Sequence, residues 1–260
     1  MIRDGGTVAH LGASAEGART SFEESTARLG VGRLAGLRFH DIPDEKGIAA
    51  VPTTDDLIKA AAEPGVGMIA GIVSLKEQGL VDEVSIGMNA SGGRRADWDG
   101  DEEGTPVYGT PDQIVDLIRA VPDGTFDSLL MASGWNLLYT EGAVVLQECA
   151  ARGIAVHNAG TFATGLLAGG FSYVYQEAPP EMVAKTAKWE QLCHRYNLPL
   201  PAVAMAFSAL PTCVKKVVIG CSSPSDVEDC VSHCDSAVVV PTELWVEAQQ
   251  LGLLPAWLKF

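Results

Sequence analysis

The sequence has no apolar run long enough to cross a bilayer. Its apolar stretches, such as residues 66–73 and 237–240, fall far short of the roughly 20 residues that a membrane-spanning helix needs. Residues 1–6 also lack the apolar segment of a secretory signal peptide. These absences argue against a membrane protein and predict a cytoplasmic one.

Positive charge is scarce. Lys and Arg number 18 against 33 Asp and Glu, which gives a formal net charge of −15 and a pI of about 4.6. A surface of this sign repels phosphate backbones and anionic lipid headgroups. The composition therefore argues against nucleic-acid and membrane-surface partners and favours an enzyme acting on a small molecule.

Paired cysteine motifs are absent as well. The chain has six cysteines but no CxxC pair. Cys230 and Cys234 have the spacing of one helix face, yet no pair of histidines or second pair of cysteines accompanies them. Buried or incidental thiols in a reducing compartment are favoured over a metal site, and no metal is predicted.

What the sequence does contain is a recurring apolar run followed by an amphipathic stretch. With 260 residues, 47% of them hydrophobic, the chain can bury a core, and a single domain over residues 1–260 is the default. The alternation is typical of βα units around a parallel sheet. Predicted strands are 34–39, 83–88, 126–131, 154–158 and 215–219, and predicted helices are 20–30, 68–79, 111–121, 142–152, 180–197, 224–234 and 241–251.

Residues 90–109 interrupt this alternation. The segment is polar, Gly-rich and charged, which predicts a long surface loop after the second strand. A variable insertion is favoured over a functional lid.

Six segments, in order, resemble the aldo/keto reductase family. They are 21–41 (SFEESTARLG followed by LRFHD), 75–89 (LKEQGLV followed by IGMN), 129–138, 159–167 (AGTFATGLL), 218–228 and 241–254. The chain is most similar to the branch of D-threo-aldose 1-dehydrogenases, L-galactose dehydrogenases and pyridoxal 4-dehydrogenases. The resemblance implies an α/β fold, a partial TIM (β/α)8 barrel with units corresponding to strands 4–8 and helices outside, and hence an N-terminally truncated chain.

The same resemblance implies an NAD(P)-dependent oxidoreductase acting on a small aldehyde or sugar. Members of the family transfer hydride with an Asp, a Tyr, a Lys and a His. His40 matches the His, whereas the Asp, Tyr and Lys have no counterpart in this chain. A structural role for a lone His at a strand end is the competing interpretation.

The cofactor positions are better matched. By resemblance, Asn89 corresponds to the residue that bonds the nicotinamide carboxamide, although an ordinary turn Asn is a competing interpretation. The remaining matches fall in two turns that contact the cofactor phosphates: Gly160, Phe162, Thr164 and Gly165 in the first, and Gly220, Ser222 and Ser223 in the second.

Two positions depart from the family pattern, and one aromatic residue is a further candidate for the site. Ser222 replaces a basic residue of the family and Cys230 an Asn, so NAD or NADP is expected to bind weakly, with NAD favoured because Ser cannot pair with a 2′-phosphate as Arg does. Trp135 is a candidate wall of the substrate pocket, with core packing as the equal alternative.

Three functions remain open. The first is a fragment of an oxidoreductase, inactive alone, and the second is a non-catalytic cofactor-binding or interaction protein derived from one. The third, different chemistry built on His40 and Asp41, lacks a convergent cluster. A five-stranded partial barrel would also leave two open edges, which predicts a homo-oligomer, poor solubility, or a strand from residues 7–11 covering one edge.

Overall fold

A computed structural model describes residues 2–4, 7–9, 14–40, 54–90, 110–173, 176–235 and 239–260. The strands are β1 Ile2–Asp4, β2 Thr7–Ala9, β3 Leu34–His40, β4 Val81–Asn89, β5 Ser128–Ala132, β6 Ala155–Ala159, β7 Ser172–Tyr173, β8 Gln176–Glu177 and β9 Val214–Val218. The helices are α1 Ala15–Leu29, α2 Thr54–Ala62, α3 Met68–Glu77, α4 Pro111–Arg119, α5 Ala143–Arg152, α6 Pro180–Arg195, α7 Leu200–Ala209, α8 Pro224–Asp235 and α9 Thr242–Gln250.

The central element is a parallel sheet of five strands surrounded by helices, in the order β3-β4-β5-β6-β9. All five predicted strands are therefore confirmed, with ends shifted by one or two residues. The sheet and its helices are consistent with the predicted partial barrel. Of the described helices, none is both long and apolar enough to span a membrane.

The chain divides into two compact units, and the boundary passes through β5 and β6. The first comprises Met1–Leu130 and Val144–Val156, and the second comprises Met131–Ala143 and His157–Phe260. The single-domain assignment stays a prediction.

In the first unit, β3 and β4 pair in parallel from Leu34↔Val81 to His40↔Gly87. The N-terminal helix α1 packs closely on α3, because a Cβ on Gly71 would lie 2.6 Å from the Cα of Ala15. The Asp127 carboxylate ties α3 to the sheet by accepting from the Lys76 ammonium at 2.6 Å and from the Val84 N–H at 2.8 Å.

In the second unit, α7 lies beside α6, and six of its ten residues are buried. The Trp189 indole of α6 is buried and donates to the Leu137 carbonyl at 3.2 Å. Phe207 of α7 stacks on Trp135, with ring centroids 4.8 Å apart. These buried aromatic side chains form part of the core of the second unit.

Two helices were missed in the sequence analysis. Residues 200–209 form α7 and residues 54–62 form α2, and neither helix was predicted. A nearly uniform apolar segment such as 200–209 has no helical period to detect.

The prediction that a strand from residues 7–11 covers an edge of the five-stranded sheet is wrong. Thr7–Ala9 is a strand, but it pairs antiparallel with Ile2–Asp4 and is not part of the five-stranded sheet. Pairing with a strand separated from it by two residues closes a shorter loop than pairing with a distant sheet edge would. It therefore costs less chain entropy. A homo-oligomer covering the edges stays a prediction, and residues 91–109 of the predicted loop lie outside the described residues.

Candidate functional site

A pocket of about 830 Å³ lies in the second unit, at the carboxyl ends of three strands. Ala132 ends β5, Ala159 ends β6 and Val218 ends β9, and all three line it. Ligands of parallel α/β sheets bind at this end of the strands, and the volume falls in the range of about 300–1,000 Å³ typical of small-molecule sites.

The segment after β6 forms one wall of the pocket in a constrained backbone conformation. Gly160 has φ +79°, and a Cβ there would lie 2.7 Å from the Ser133 backbone nitrogen. Ser133, Ala163 and Thr164 have φ of 61°, 48° and 61°, a region that side chains other than glycine rarely adopt. Strain of this kind gathers at binding sites, where the surrounding structure holds the chain in one shape.

Asn136 and Asn158 hold this segment in place. The Asn136 amide donates to the Gly160 carbonyl at 3.2 Å, and its oxygen accepts from the Leu138 N–H at 2.9 Å. The fully buried Asn158 amide donates to the Trp135 carbonyl at 3.0 Å. Sequence reasoning missed both residues, since a buried Asn at the end of a strand has no distinctive pattern.

Thr161 contributes to this wall, and its hydroxyl is buried with no hydrogen-bond partner among the described residues. Only 1% of its surface is exposed, although it lines the pocket. An unsatisfied buried hydroxyl costs about 1–3 kcal/mol.

A second wall is formed by the segment after β9 and the first turn of α8. The Asp226 carboxylate accepts from the Ser222 N–H at 2.7 Å, the Ser222 hydroxyl at 2.8 Å and the Ser223 N–H at 3.0 Å. Bonds from the Ser222 hydroxyl and these backbone donors lower the pKa of Asp226 to about 2. Ser223 in turn accepts from the Asp226 N–H at 3.2 Å, so the two residues form a reciprocal helix cap.

Six of the seven residues predicted in the two phosphate turns line this single pocket: Gly160, Phe162, Thr164, Gly165, Gly220 and Ser222. The seventh, Ser223, is not in the lining and caps α8 instead. Donors that a phosphate could use at Ser222 and Ser223 already bond a carboxylate of the chain itself.

The other predicted residues lie elsewhere. His40 ends β3 with its ring against Gly87, and the buried Asn89 ends β4, so each is at the carboxyl end of its strand in the first unit. Trp135 is only 4% exposed and its indole donates to the Phe207 carbonyl at 3.2 Å. It is packed in the core and does not line the pocket, while Asp41 lies outside the described residues.

Three tyrosines are described, and the pKa of each is raised. Burial and the nearby Glu141 carboxylate raise the pKa of Tyr139, and burial raises that of Tyr173. A hydrogen bond to Glu247 at 2.9 Å raises the pKa of Tyr196. None therefore has the lowered pKa that proton transfer from a phenol near neutral pH requires. Within the described ranges, no group of three or more metal-binding side chains occurs.

Two curated proteins match nearly the whole chain. D-threo-aldose 1-dehydrogenase of a Pseudomonas species is 27% identical over 246 residues, which are 92% of this chain and 63% of the relative. Pyridoxal 4-dehydrogenase of Microbacterium luteolum is 27% identical over 247 residues, 93% of this chain and 63% of the relative. The chain is similar to members of the aldo/keto reductase family. No family model matches it.

Solved aldo/keto reductases have the same fold. The glycerol dehydrogenase of Gluconobacter oxydans superposes with a TM-score of 0.62 at 15% identity, covering 97% of this chain and 68% of that one. The holo form of an aldo-keto reductase from Bacillus halodurans gives 0.60 at 18% identity, covering 92% and 68%. The chain thus spans a little under two thirds of the length of its curated aldo/keto reductase relatives.

Proposed function

We propose that this chain binds a nicotinamide dinucleotide in the pocket at the ends of β5, β6 and β9. The pocket carries the proposal, because six of the residues predicted for the two phosphate turns line it beside Thr161, whose buried hydroxyl has no hydrogen-bond partner among the described residues. The positive-φ glycines Gly160 and Gly165 beside it allow the close backbone approach that a pyrophosphate needs.

In this proposal each group of residues in the pocket has its own role. The segment from Gly160 to Gly165 holds the pyrophosphate, and Thr161 bonds one of its oxygens. Asp226 and Asp229, which also line the pocket, accept from sugar hydroxyls, as a carboxylate does for the ribose of NAD. Asn89 and His40 lie in the first unit, and their roles towards the carboxamide and the substrate carbonyl stay predictions from the family resemblance. A bound dinucleotide would supply or accept hydride for a small aldehyde or sugar substrate.

Thr161→Val tests the proposal. The isosteric change removes the hydroxyl and is expected to weaken NADH binding by about tenfold or more, since a hydrogen bond to a charged group contributes about 1.5–3 kcal/mol. The free energy of unfolding of the free protein should stay the same or rise, because an unsatisfied group is lost. Calorimetric titration and denaturant unfolding measure the two quantities.

Thr186→Val is the matched control. Thr186 is also buried, but its hydroxyl bonds the Met182 carbonyl at 2.9 Å in α6, away from the pocket lining. This variant should lose stability and keep its affinity for NADH. Wild-type affinity in Thr161→Val, or no binding of NADH and NADPH by the parent protein, would contradict the proposal.

The finer cofactor preference in this proposal is NAD over NADP. The donors at Ser222 and Ser223 already bond the Asp226 carboxylate, and its negative charge repels a 2′-phosphate. The double variant Ser222→Arg with Asp226→Asn should raise NADPH affinity about 10- to 100-fold, because Arg forms charge-assisted bonds to phosphate. The comparison is the ratio of NADPH to NADH dissociation constants.

Ser225→Arg is the control for added positive charge. Ser225 lies in the same helix turn but does not line the pocket, so this variant should leave the ratio near its parent value. A parent protein that already binds NADPH as tightly as NADH would refute the preference and leave dinucleotide binding itself intact.

A further inference from the structure

Two thiols meet in the wall of the pocket. Cys221 lies in the segment after β9 and Cys230 in the second turn of α8, and both line the pocket. The Cys221 side chain is a hydrogen-bond partner of the Cys230 thiol. Both cysteines are free, Cys221 is exposed and Cys230 is half-buried.

The helix cap places this pair together. Ser222 is bonded to Asp226 through its N–H and its hydroxyl, at 2.7 and 2.8 Å, so the backbone just after Cys221 is fixed on the first turn of α8. Cys230 is four residues after Asp226, and residues at that spacing lie on one face of a helix. The contact between the two thiols follows from the same hydrogen bonds that start the helix.

We propose that Cys221 and Cys230 form a peroxide-sensitive dithiol, and that its disulfide weakens binding of the dinucleotide. The second part rests on the proposed function. In the first step the Cys221 thiolate attacks hydrogen peroxide, the O–O bond breaks, and a sulfenic acid and one water form. The Cys230 sulfur then attacks that sulfur, the S–S bond forms, the S–O bond breaks and a second water leaves. Two thiols give up two electrons and two protons, and the peroxide is reduced to two waters.

The order of attack follows from the surroundings of the two thiols. Burial, the neighbouring Cys221 and the charges nearby raise the pKa of Cys230, which keeps it protonated. Cys221 is the more accessible thiol, and a thiolate is the attacking species. Cys221 therefore reacts first and Cys230 resolves the sulfenic acid.

The effect on the pocket follows from where the new bond lies. A disulfide holds its sulfurs at about 2.05 Å, much closer than two hydrogen-bonded thiols. The bond would draw the segment after β9 towards α8 across the lining that the two thiols share. A dinucleotide in the pocket covers the same thiols, so binding and oxidation should oppose each other by the same factor.

Peptide mapping and calorimetry of the whole chain test both parts. After hydrogen peroxide treatment, mass spectrometry should find a peptide linking Cys221 to Cys230, formed more slowly when NADH is present. Affinity for NADH should fall roughly tenfold and return after reduction with dithiothreitol. Cys230→Ser should lose the sensitivity to peroxide, which is judged by comparing the NADH affinity of this variant before and after peroxide treatment.

Cys234→Ser is the matched control, because Cys234 is exposed one turn further along α8 and does not line the pocket. It should still form the Cys221–Cys230 link. A link between Cys230 and Cys234, over-oxidation of Cys221 without a link, or a Cys221–Cys230 link with unchanged affinity would overturn the proposal. If the reduced protein binds neither NADH nor NADPH, the proposed function fails and the regulation fails with it, whereas peptide mapping still decides whether the dithiol exists.

Discussion

Purified protein is expected to bind NADH and yet leave it unoxidised when an aldose, an aldonolactone or pyridoxal is offered. Proton transfer by a phenol near neutral pH requires that its pKa of about 10 be lowered, for which a neighbouring ammonium is the usual means. Tyr139 bonds Glu141 and Tyr196 bonds Glu247, and a carboxylate shifts the pKa the opposite way. The described tyrosines are therefore poor candidates for the proton donor.

The measurement is the change in reduced-nicotinamide absorbance in both directions, at saturating NADH and at saturating NAD, with a D-threo-aldose 1-dehydrogenase supplied with NAD and an aldose as positive control. Turnover should not exceed that of a heat-denatured sample. Robust turnover that Tyr139→Phe, Tyr173→Phe or Tyr196→Phe abolishes would identify a proton donor in this chain and refute the expectation. Turnover that survives all three substitutions would refute it as well and direct attention to His40.

If turnover is absent, the DNA upstream of the Met1 codon distinguishes two explanations. An in-frame segment with the family Asp, Tyr and Lys before the Met1 codon would favour an oxidoreductase of which this chain is a part. Absence of such a segment would favour a non-catalytic protein that binds the cofactor. The departures at Ser222 and Cys230 support the second explanation, because Ser222 lies in the predicted second phosphate turn and Cys230 lies in helix α8, which follows that turn.

Sequence predicted the sheet well because each parallel strand is a short apolar run between signals that end helices and begin others. Val84, Ile86 and Met88 of β4 are all buried, as an interior strand requires. The failure at α7 has the opposite cause. Residues 200–209 are almost entirely apolar, so the segment has no polar face to reveal its helical period, although only six of the ten residues are buried.

The candidate site was predicted in part. Glycines at 160, 165 and 220 mark turns that only the fold brings together, and the family resemblance was needed to place them in one pocket. The Ser223 and Asp226 pair could have been recognised from its spacing as a helix cap, which would have shown that its donors are used internally. Thr161 could not have been found, because an unpartnered hydroxyl is a property of three-dimensional packing.

Substitution of Trp135 tests whether this residue, predicted as a candidate wall of the substrate pocket, belongs to the core instead. Its indole stacks on Phe207 at 4.8 Å, with the planes 13° apart, and donates to the Phe207 carbonyl. Phe207 also contacts Trp245, which stacks on Phe260 at 5.4 Å, so the four rings form a continuous cluster. Removing Trp135 would leave a cavity at one end of this cluster and would remove one of the two hydrogen bonds that the Phe207 carbonyl accepts, the other coming from the Leu210 N–H at 3.2 Å.

Trp135→Ala is therefore expected to lower the free energy of unfolding by about 3–5 kcal/mol, the range for large aromatic residues removed from a core. Trp257→Ala, the same change at a side chain that is 55% exposed, should shift it by no more than about 0.5 kcal/mol. Denaturant unfolding followed by circular dichroism compares the two. Trp135→Phe keeps most of the stacking and should recover most of the loss. A Trp135→Ala protein with parental stability and weakened substrate or NADH binding would instead place this indole in the wall of a binding pocket.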